Sequence, residues 1–530
     1  MTDTKEQKDR KDQRNFDDQT DHQTDQKADP KDSVNPQDQA DLTAEMAVNK
    51  LALNDFRSWQ QLVVDFSHNV NVLVGKNGIG KTNIVEALEF LSVGSSHRAS
   101  ASRWLVRRGS AHAIIRANAA ISTSALPTAL ASNDSTRDAR LNVTIPQRGA
   151  IRARINDNRS SYFGDIAGLL KVVLFSPNDE QLVSGAPSLR REFLNQTCTL
   201  MDPGYYPILQ RFRQTARQRA AVLKRLQEGF DTADNRQSAL AELEAWTAQF
   251  TALGIAITRA RQKAIAALAP LVTSIYADLS GSHDEQDTVY LVYQPSFDEV
   301  IATQTASETP HTLELTLDAR KTQNDTEQSE DSQTMTQMAQ LRSAIAAHFQ
   351  RLYAGEVARG ASLIGPQRDD CDFLLGGAPA RQTASNGEMW TMALALRMAQ
   401  YRWLAARGPK PVLVLDDVFS QLDEHRRAQI LDFARGCGQV FITVAARSDI
   451  PRGFLSPSDD LPSVAVDVDV TRENEADEDV ADEDAVGAIR LIDVEKLAAD
   501  QSDMFGTDGR NGSESDPDVK RPGMTEAHDD

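Results

Sequence analysis

A chain of 530 residues, 40% of them hydrophobic, is long enough for two or three domains with a substantial core. Its net charge of −20 sits at the ends: residues 1–45 carry −6 and residues 455–530 carry −17, and removing both leaves +3 for residues 46–454, so the acidic sum does not exclude a nucleic-acid partner. Three scattered cysteines (Cys198, Cys371, Cys437) with no CxxC pair argue against a zinc or disulfide framework, and no apolar run approaches the roughly 18–20 residues of a bilayer span; a cytoplasmic protein with no membrane partner is expected.

In chain order, residues 1–45 are polar and low in large apolar residues, and read as a disordered extension. Leu51, Leu53 and Phe56, then Leu62, Val64 and Phe66, alternate as two strands joined by a turn. Val70–Val74 is a short apolar strand, and Ile84, Ala87, Leu88 and Leu91 after it lie at helical spacing. Residues 203–358 are rich in Arg, Gln, Ala, Leu and Glu over 205–280, where two or three long helices are expected; a strand at Val289–Tyr293, a loose polar stretch at 320–335 and a helix near 337–358 follow. Strand–helix alternation resumes with an apolar strand at Val412–Leu415, a helix over 423–435 and a strand at Val440–Val444. The expected fold class is therefore α/β: one head, residues 46–202 and 359–454, split by a mainly helical arm over residues 203–358. An acidic flexible insertion over 455–487, a possible last strand over 488–499 and a disordered tail over 500–530 complete the reading.

The strand at Val70–Val74 runs into Gly75-Lys76-Asn77-Gly78-Ile79-Gly80-Lys81-Thr82, a full GxxxxGK[ST] match placed between strand and helix. Glycines let successive N–H groups turn inward around phosphates, and the helix N-terminus adds its positive dipole end. ATP is the expected ligand, with Lys81 on the β/γ-phosphates and the Thr82 hydroxyl on Mg2+. Asp416 and Asp417 end the second apolar strand, where α/β sheets bind ligands. Asp416 is the expected second Mg2+ holder, and Asp417 the general base that polarises the attacking water. Ser385-Asn-Gly387-Glu388 opens a helical segment about thirty residues earlier. It resembles the signature motif by which ABC-type ATPases contact the γ-phosphate held by a second subunit; an ordinary N-cap with Ser385 and Glu388 in a capping box is the competing reading.

The order of these motifs resembles the RecF family of SMC-like ATPases over roughly residues 48–454, which implies that the split α/β head is a P-loop ATPase head of the ABC/SMC type and the helical arm its lobe II. Asn54-Asp-Phe-Arg57, Ser176-Pro-Asn-Asp179 with Gly185-Ala-Pro-Ser-Leu-Arg-Arg191, Gly365-Pro-Gln-Arg368-Asp-Asp370 and Asp416-Asp417 with Ser420-Gln-Leu-Asp423 carry the likeness. Gln367 and Glu388 depart from the family pattern, which usually has His and Gln there. The resemblance implies that Arg57 lies near the nucleotide and that ATP drives a homodimer with two sandwiched nucleotides. It further implies DNA binding at gaps or duplex/single-strand junctions, association with the RecO and RecR proteins to place RecA, slow hydrolysis as a release step, and a place near the nucleoid.

From Pro203 to Gln227 there is no acid, while Arg211, Arg213, Arg217, Arg219, Lys224 and Arg225 are present; with Arg103, Arg107 and Arg108 these are the candidate DNA contacts, set against the plain reading of a solvated helix face. Gln501-Ser-Asp-Met-Phe505 resembles the short peptides that dock on the bacterial sliding clamp. A transporter ATPase subunit, a DNA clasp that binds ATP but scarcely turns it over, and another SMC-like head whose substrate is not gapped DNA remain as alternatives at this point.

Overall fold

The computed structural model describes residues 45–122, 136–297, 343–450 and 489–505, apart from 157, 231 and 346. The expected N-terminal extension except Glu45, the polar stretch at 320–335, the acidic insertion and the tail beyond residue 505 therefore lie outside the described residues.

The chain opens with a hairpin, β1 (Ala47–Phe56) and β2 (Trp59–Asp65), in register from Lys50↔Asp65 to Phe56↔Trp59. Its two-residue turn places Arg57 at φ 56°, the backbone twist that tight hairpins need. Next come β3 (Val70–Val74) and α1 (Lys81–Val93). Four more antiparallel strands follow: β4 (His112–Ser122), β5 (Thr136–Pro146), β6 (Arg152–Ile155) and β7 (Ser161–Tyr162), giving a six-stranded sheet of order β2-β1-β4-β5-β6-β7. Its inward residues, among them Leu51, Leu53, Leu62, Val64, Ile115 and Leu141, pack on Ile84 and Leu88 of α1. That alternation of buried and solvated positions is the pattern of a sheet covered on one face.

After β8 (Val172–Phe175) come α2 (Pro187–Met201), α3 (Tyr205–Glu228) and α4 (Ala233–Ser280), then a small sheet of β9 (Val289–Gln294), β10 (Asp370–Leu375) and β11 (Ala378–Pro379). The rest is α5 (Asn386–Ala405), β12 (Val412–Asp416), α6 (Glu424–Arg435), β13 (Val440–Val444), β14 (Ile489–Asp493) and α7 (Val494–Phe505). Five strands pair in parallel in the order β14-β3-β13-β12-β8, joining segments from both ends of the chain. Alternate residues of these strands enter two cores: Leu73, Val412, Val414 and Phe441 face α1, whereas Val72, Leu413, Leu415 and Ile442 face α5 and α4. A parallel sheet covered on both faces explains why β12 and β13 are apolar almost without interruption.

Two features differ from the sequence reading. The 48-residue α4, about 70 Å long at 1.5 Å per residue, crosses the boundary between arm and head. Its Leu268, Val272 and Ile275 sit in the head's core, while Ala239 and Leu243 pack with α3 in the arm. The last strand expected over 488–499 ends at Asp493; the Asp493 carboxylate accepts from the N–H groups of Glu495 (3.1 Å) and Lys496 (3.3 Å), which caps a helix at that point. Gln501–Phe505 thus form the helical end of α7, not a loose peptide. Among the described residues no helix is long and apolar enough to cross a membrane.

Candidate nucleotide-binding site

The Gly75–Thr82 loop joins β3 to α1 at the C-terminal edge of the parallel sheet. Gly78 (φ 88°) and Gly80 (φ 117°) hold the left-handed conformations that turn its N–H groups inward. Gly80 is doubly constrained, since an added Cβ would lie 2.9 Å from the Trp59 ring, whose Nε1–H donates to the Gly80 carbonyl at 3.2 Å. The β1–β2 hairpin thereby braces the loop from below. The Lys81 ammonium folds back on it, donating to the carbonyls of Gly75 and Lys76 (3.1 Å) and to Asn77 Oδ1 (3.5 Å). Burial holds its pKa below the usual lysine value, against the pull of Asp417, Asp416 and Glu495.

The other half of the site comes from β12 and β13. Thr82 Oγ1 donates to Asp416 Oδ1 at 3.1 Å, and Thr443 Oγ1 donates to the same oxygen at 2.8 Å. Thr443 Oγ1 in turn accepts the Asp417 N–H at 2.9 Å. Asp416 is 4% exposed, and burial raises its pKa. A buried carboxylate and a hydroxyl converging on one point make a hard-oxygen donor set suited to Mg2+. Asp417 stands at the strand's end in the left-handed region (φ 52°, ψ 28°), which re-aims the chain there and which Asp tolerates better than most residues. Thr443 escaped the sequence reading; its only signal is a lone hydroxyl within Val-Phe-Ile-Thr-Val.

Arg57 lies beside the loop's helix, its Nε and Nη2 donating to the fully buried Glu86 carboxylate at 2.8 and 2.5 Å. His97 is a second unforeseen neighbour. Its Nδ1 lies 2.7 Å from Glu89 Oε2, and although burial lowers its pKa, Glu89, Asp416 and Glu86 together raise it. Ser385 caps α5 and is exposed. Its hydroxyl and N–H donate to Glu388 Oε2 at 2.8 and 2.7 Å, and Glu388 N–H donates back at 3.3 Å. The capping box is therefore formed, and it leaves the turn at a solvent-facing helix N-terminus. The Gly387 carbonyl accepts from Arg426 Nη2 at 3.2 Å, and Arg426 also pairs with Asp423 at 2.5 Å.

The expected DNA contacts divide. Arg219 is a correction: it is 1% exposed, and its guanidinium is spent on Glu356, Thr247 and Ser362 inside the arm. An amphipathic helix needs one face inside, and Arg219 falls on it. Arg211 and Arg217 are exposed; Arg213 pairs with Glu192 at 3.0 Å and Lys224 with Glu228 at 3.8 Å. Arg103 and Arg108 are exposed, Arg103 stacks 5.1 Å from the exposed Trp104 ring, and Arg107 pairs with Asp55 at 3.7 Å. The outward face of the antiparallel sheet adds Arg116, Arg140, Arg152 and Arg154, with Arg152 4.3 Å from the exposed Tyr162 ring. Their signal in the sequence was the alternation Arg152-Ala-Arg154.

The model of the RecF/RecN/SMC N terminal domain matches residues 47–452. The DNA replication and repair protein RecF of Bifidobacterium adolescentis is 46% identical over 411 residues, 77% of this chain and 89% of that one. The protein of the same name from Acidothermus cellulolyticus is 32% identical, covering 77% and 96%. Among solved structures, the recombination mediator protein RecF bound to ATP shares the fold, with a TM-score of 0.59 at 23% identity over 77% of this chain and 94% of that one.

Proposed function

The chain belongs to the RecF family of SMC-type P-loop ATPases, and from that premise we propose that it is an ATP-switched DNA clasp for recombinational repair at gaps and duplex/single-strand junctions. Family membership also sets aside the transporter reading. The observation that carries the proposal is the Thr82–Asp416–Thr443–Asp417 chain of hydrogen bonds, drawn together beside the Gly75–Thr82 loop from the start of α1 and from the ends of β12 and β13, more than three hundred residues away.

ATP enters with its phosphates against the loop's N–H groups, and Lys81 exchanges the Gly75 and Lys76 carbonyls for the β/γ-phosphate oxygens. Thr82 and Asp416 would hold Mg2+, which would supply charge screening for those phosphates. Asp417 orients the attacking water and takes its proton. A second copy presents its Ser385–Gly387 turn to the γ-phosphate, so ATP closes a homodimer around DNA and slow hydrolysis releases it. In the cytoplasm such a clasp marks junctions for RecO and RecR, which place RecA. The test is binding to a gapped duplex, an intact duplex and a single strand, with and without a non-hydrolysable ATP analogue. The expected result is analogue-dependent preference for the gap, lost in Lys81→Ala. Analogue binding with no DNA response would reject the clasp while leaving the ATPase.

DNA on the arm has a quantitative signature. Arg211→Gln combined with Arg217→Gln is expected to reduce the slope of log affinity against log salt by roughly 2, at about 0.9 per lost phosphate contact. An unchanged slope there, with a reduced one in Arg152→Gln/Arg154→Gln, would move the contact from arm to sheet.

A further inference from the structure

The loop that holds phosphate is also held by the far end of the chain. β14 pairs in parallel with β3 from Ile489↔Val70 to Asp493↔Val74, so both strands end at the same level. The phosphate loop leaves one end and α7 leaves the other. The first turn of α7 is fixed by the Asp493 cap and by Val494 (0% exposed) and Leu497 (5%), which lie in the core that also contains Leu73. That placement directs Glu495 at the loop. Glu495 Oε1 accepts the Lys76 N–H at 3.0 Å, and Oε2 lies 3.5 Å from Lys76 Nζ. A Cβ on Gly75 would stand 3.5 Å from both Glu495 Cγ and Val494 Cβ, so a side chain there would fill the space between helix and loop.

We infer that Glu495 is a positioning residue for the nucleotide site, pinning the Lys76 peptide so that the N–H groups after it stay aimed at the phosphates. The pair with the Lys76 ammonium adds little, because that ammonium is 84% exposed and a surface ion pair is screened. The bond to the backbone N–H does the positioning, since it orders the loop before ligand arrives and removes that cost from binding. Docking of residues 489–505 and nucleotide binding are consequently linked: each favours the other by the same factor. The assignment rests on reading the loop as a nucleotide site.

Two substitutions in the full-length protein separate positioning from charge. Glu495→Gln keeps an acceptor for the Lys76 N–H and removes the negative charge; Glu495→Ala removes both. For a fluorescent ATP analogue, Glu495→Ala is expected to weaken binding about 5–10-fold, as loss of one solvent-exposed hydrogen bond implies, and Glu495→Gln less than about 2-fold. Without nucleotide, both variants should melt with wild type. The melting shift produced by the analogue should shrink only in Glu495→Ala, a difference that a merely structural role for α7 would not produce. Equal affinity in all three proteins, or tighter binding in both variants because a carboxylate repelling phosphate was removed, would overturn the assignment. Failure of the wild type to bind the analogue would reject the nucleotide reading and the assignment with it.

Discussion

Asp417→Asn is expected to lower single-turnover ATP hydrolysis by about 10²–10⁴-fold, the range for loss of a general base, while nucleotide affinity stays close to wild type. The substitution is chosen for its backbone. Asp417 sits at φ 52°, ψ 28°, a conformation Asn adopts as readily as Asp, and its N–H donates to Thr443, a bond that Asn keeps. What is removed is the negative charge, which also acts on Lys81, and with it the capacity to take a proton. The neighbouring Asp416→Asn is a different experiment, because Asp416 Oδ1 receives both the Thr82 and Thr443 hydroxyls and belongs to the proposed Mg2+ site. Rapid-quench measurement with enzyme in excess, beside an equilibrium titration, separates the two variants. If Asp417→Asn hydrolyses ATP at the wild-type rate, Asp417 is not the base, and the clasp that binds ATP but scarcely turns it over becomes the better account. The wild-type rate should itself be slow, since the Asp417 carboxylate is one methylene shorter than the glutamate found at this position in many ABC-type ATPases.

The ATP-loop half of the site was legible because its chemistry is local. Eight consecutive residues make the loop, an apolar strand must precede it and a helix must follow, and β3 and α1 stand there. β12 was legible for a similar reason: Val412–Leu415 is too apolar for anything but a strand buried on both faces. What stayed hidden depends on contacts distant in sequence. Thr443 gains its meaning only when β13 pairs beside β12 and sets Thr443 opposite Asp416. Glu495 gains its own only when β14 pairs with β3, more than four hundred residues away. β4 went unread because several of its inward positions are Ala113, Ala117 and Ala119, which carry little strand signal although all three are buried. The helical charge run misled in a specific way. Spacing shows which residues share a face of α3, but not that one arginine of the run turns into the arm to meet a glutamate in the segment that folds back after α4.

That arginine yields the second large effect: Arg219→Ala is expected to destabilise the arm by about 3–5 kcal/mol, the cost of leaving a buried ion-pair partner uncompensated. Arg219 Nη2 donates to Glu356 Oε2 at 2.6 Å and Nη1 to Oε1 at 3.2 Å, with both side chains no more than 2% exposed. The guanidinium also donates to Ser362 and Thr247 and lies 4.6 Å from the Phe349 ring and 5.3 Å from the Phe250 ring. Truncation removes all of this and leaves Glu356 with the Leu363 N–H as its remaining donor among these contacts. Hydrogen exchange over α3 and the N-terminal half of α4 should report the loss as faster opening of the arm, with the head and the half of α4 packed in it unaffected. Arg219→Met with Glu356→Leu should recover most of the stability, because replacing a whole buried pair by apolar side chains costs far less than breaking it. The same geometry fixes how DNA experiments on this helix must be built. A variant that includes Arg219 would lose DNA binding by unfolding the arm and would pass for a phosphate contact, whereas Arg211→Gln with Arg217→Gln changes only exposed charge. If Arg219→Ala instead kept the arm's exchange rates and flattened the salt slope, the side chain would have to leave its buried site to reach DNA, and its assignment to the arm's interior would fall.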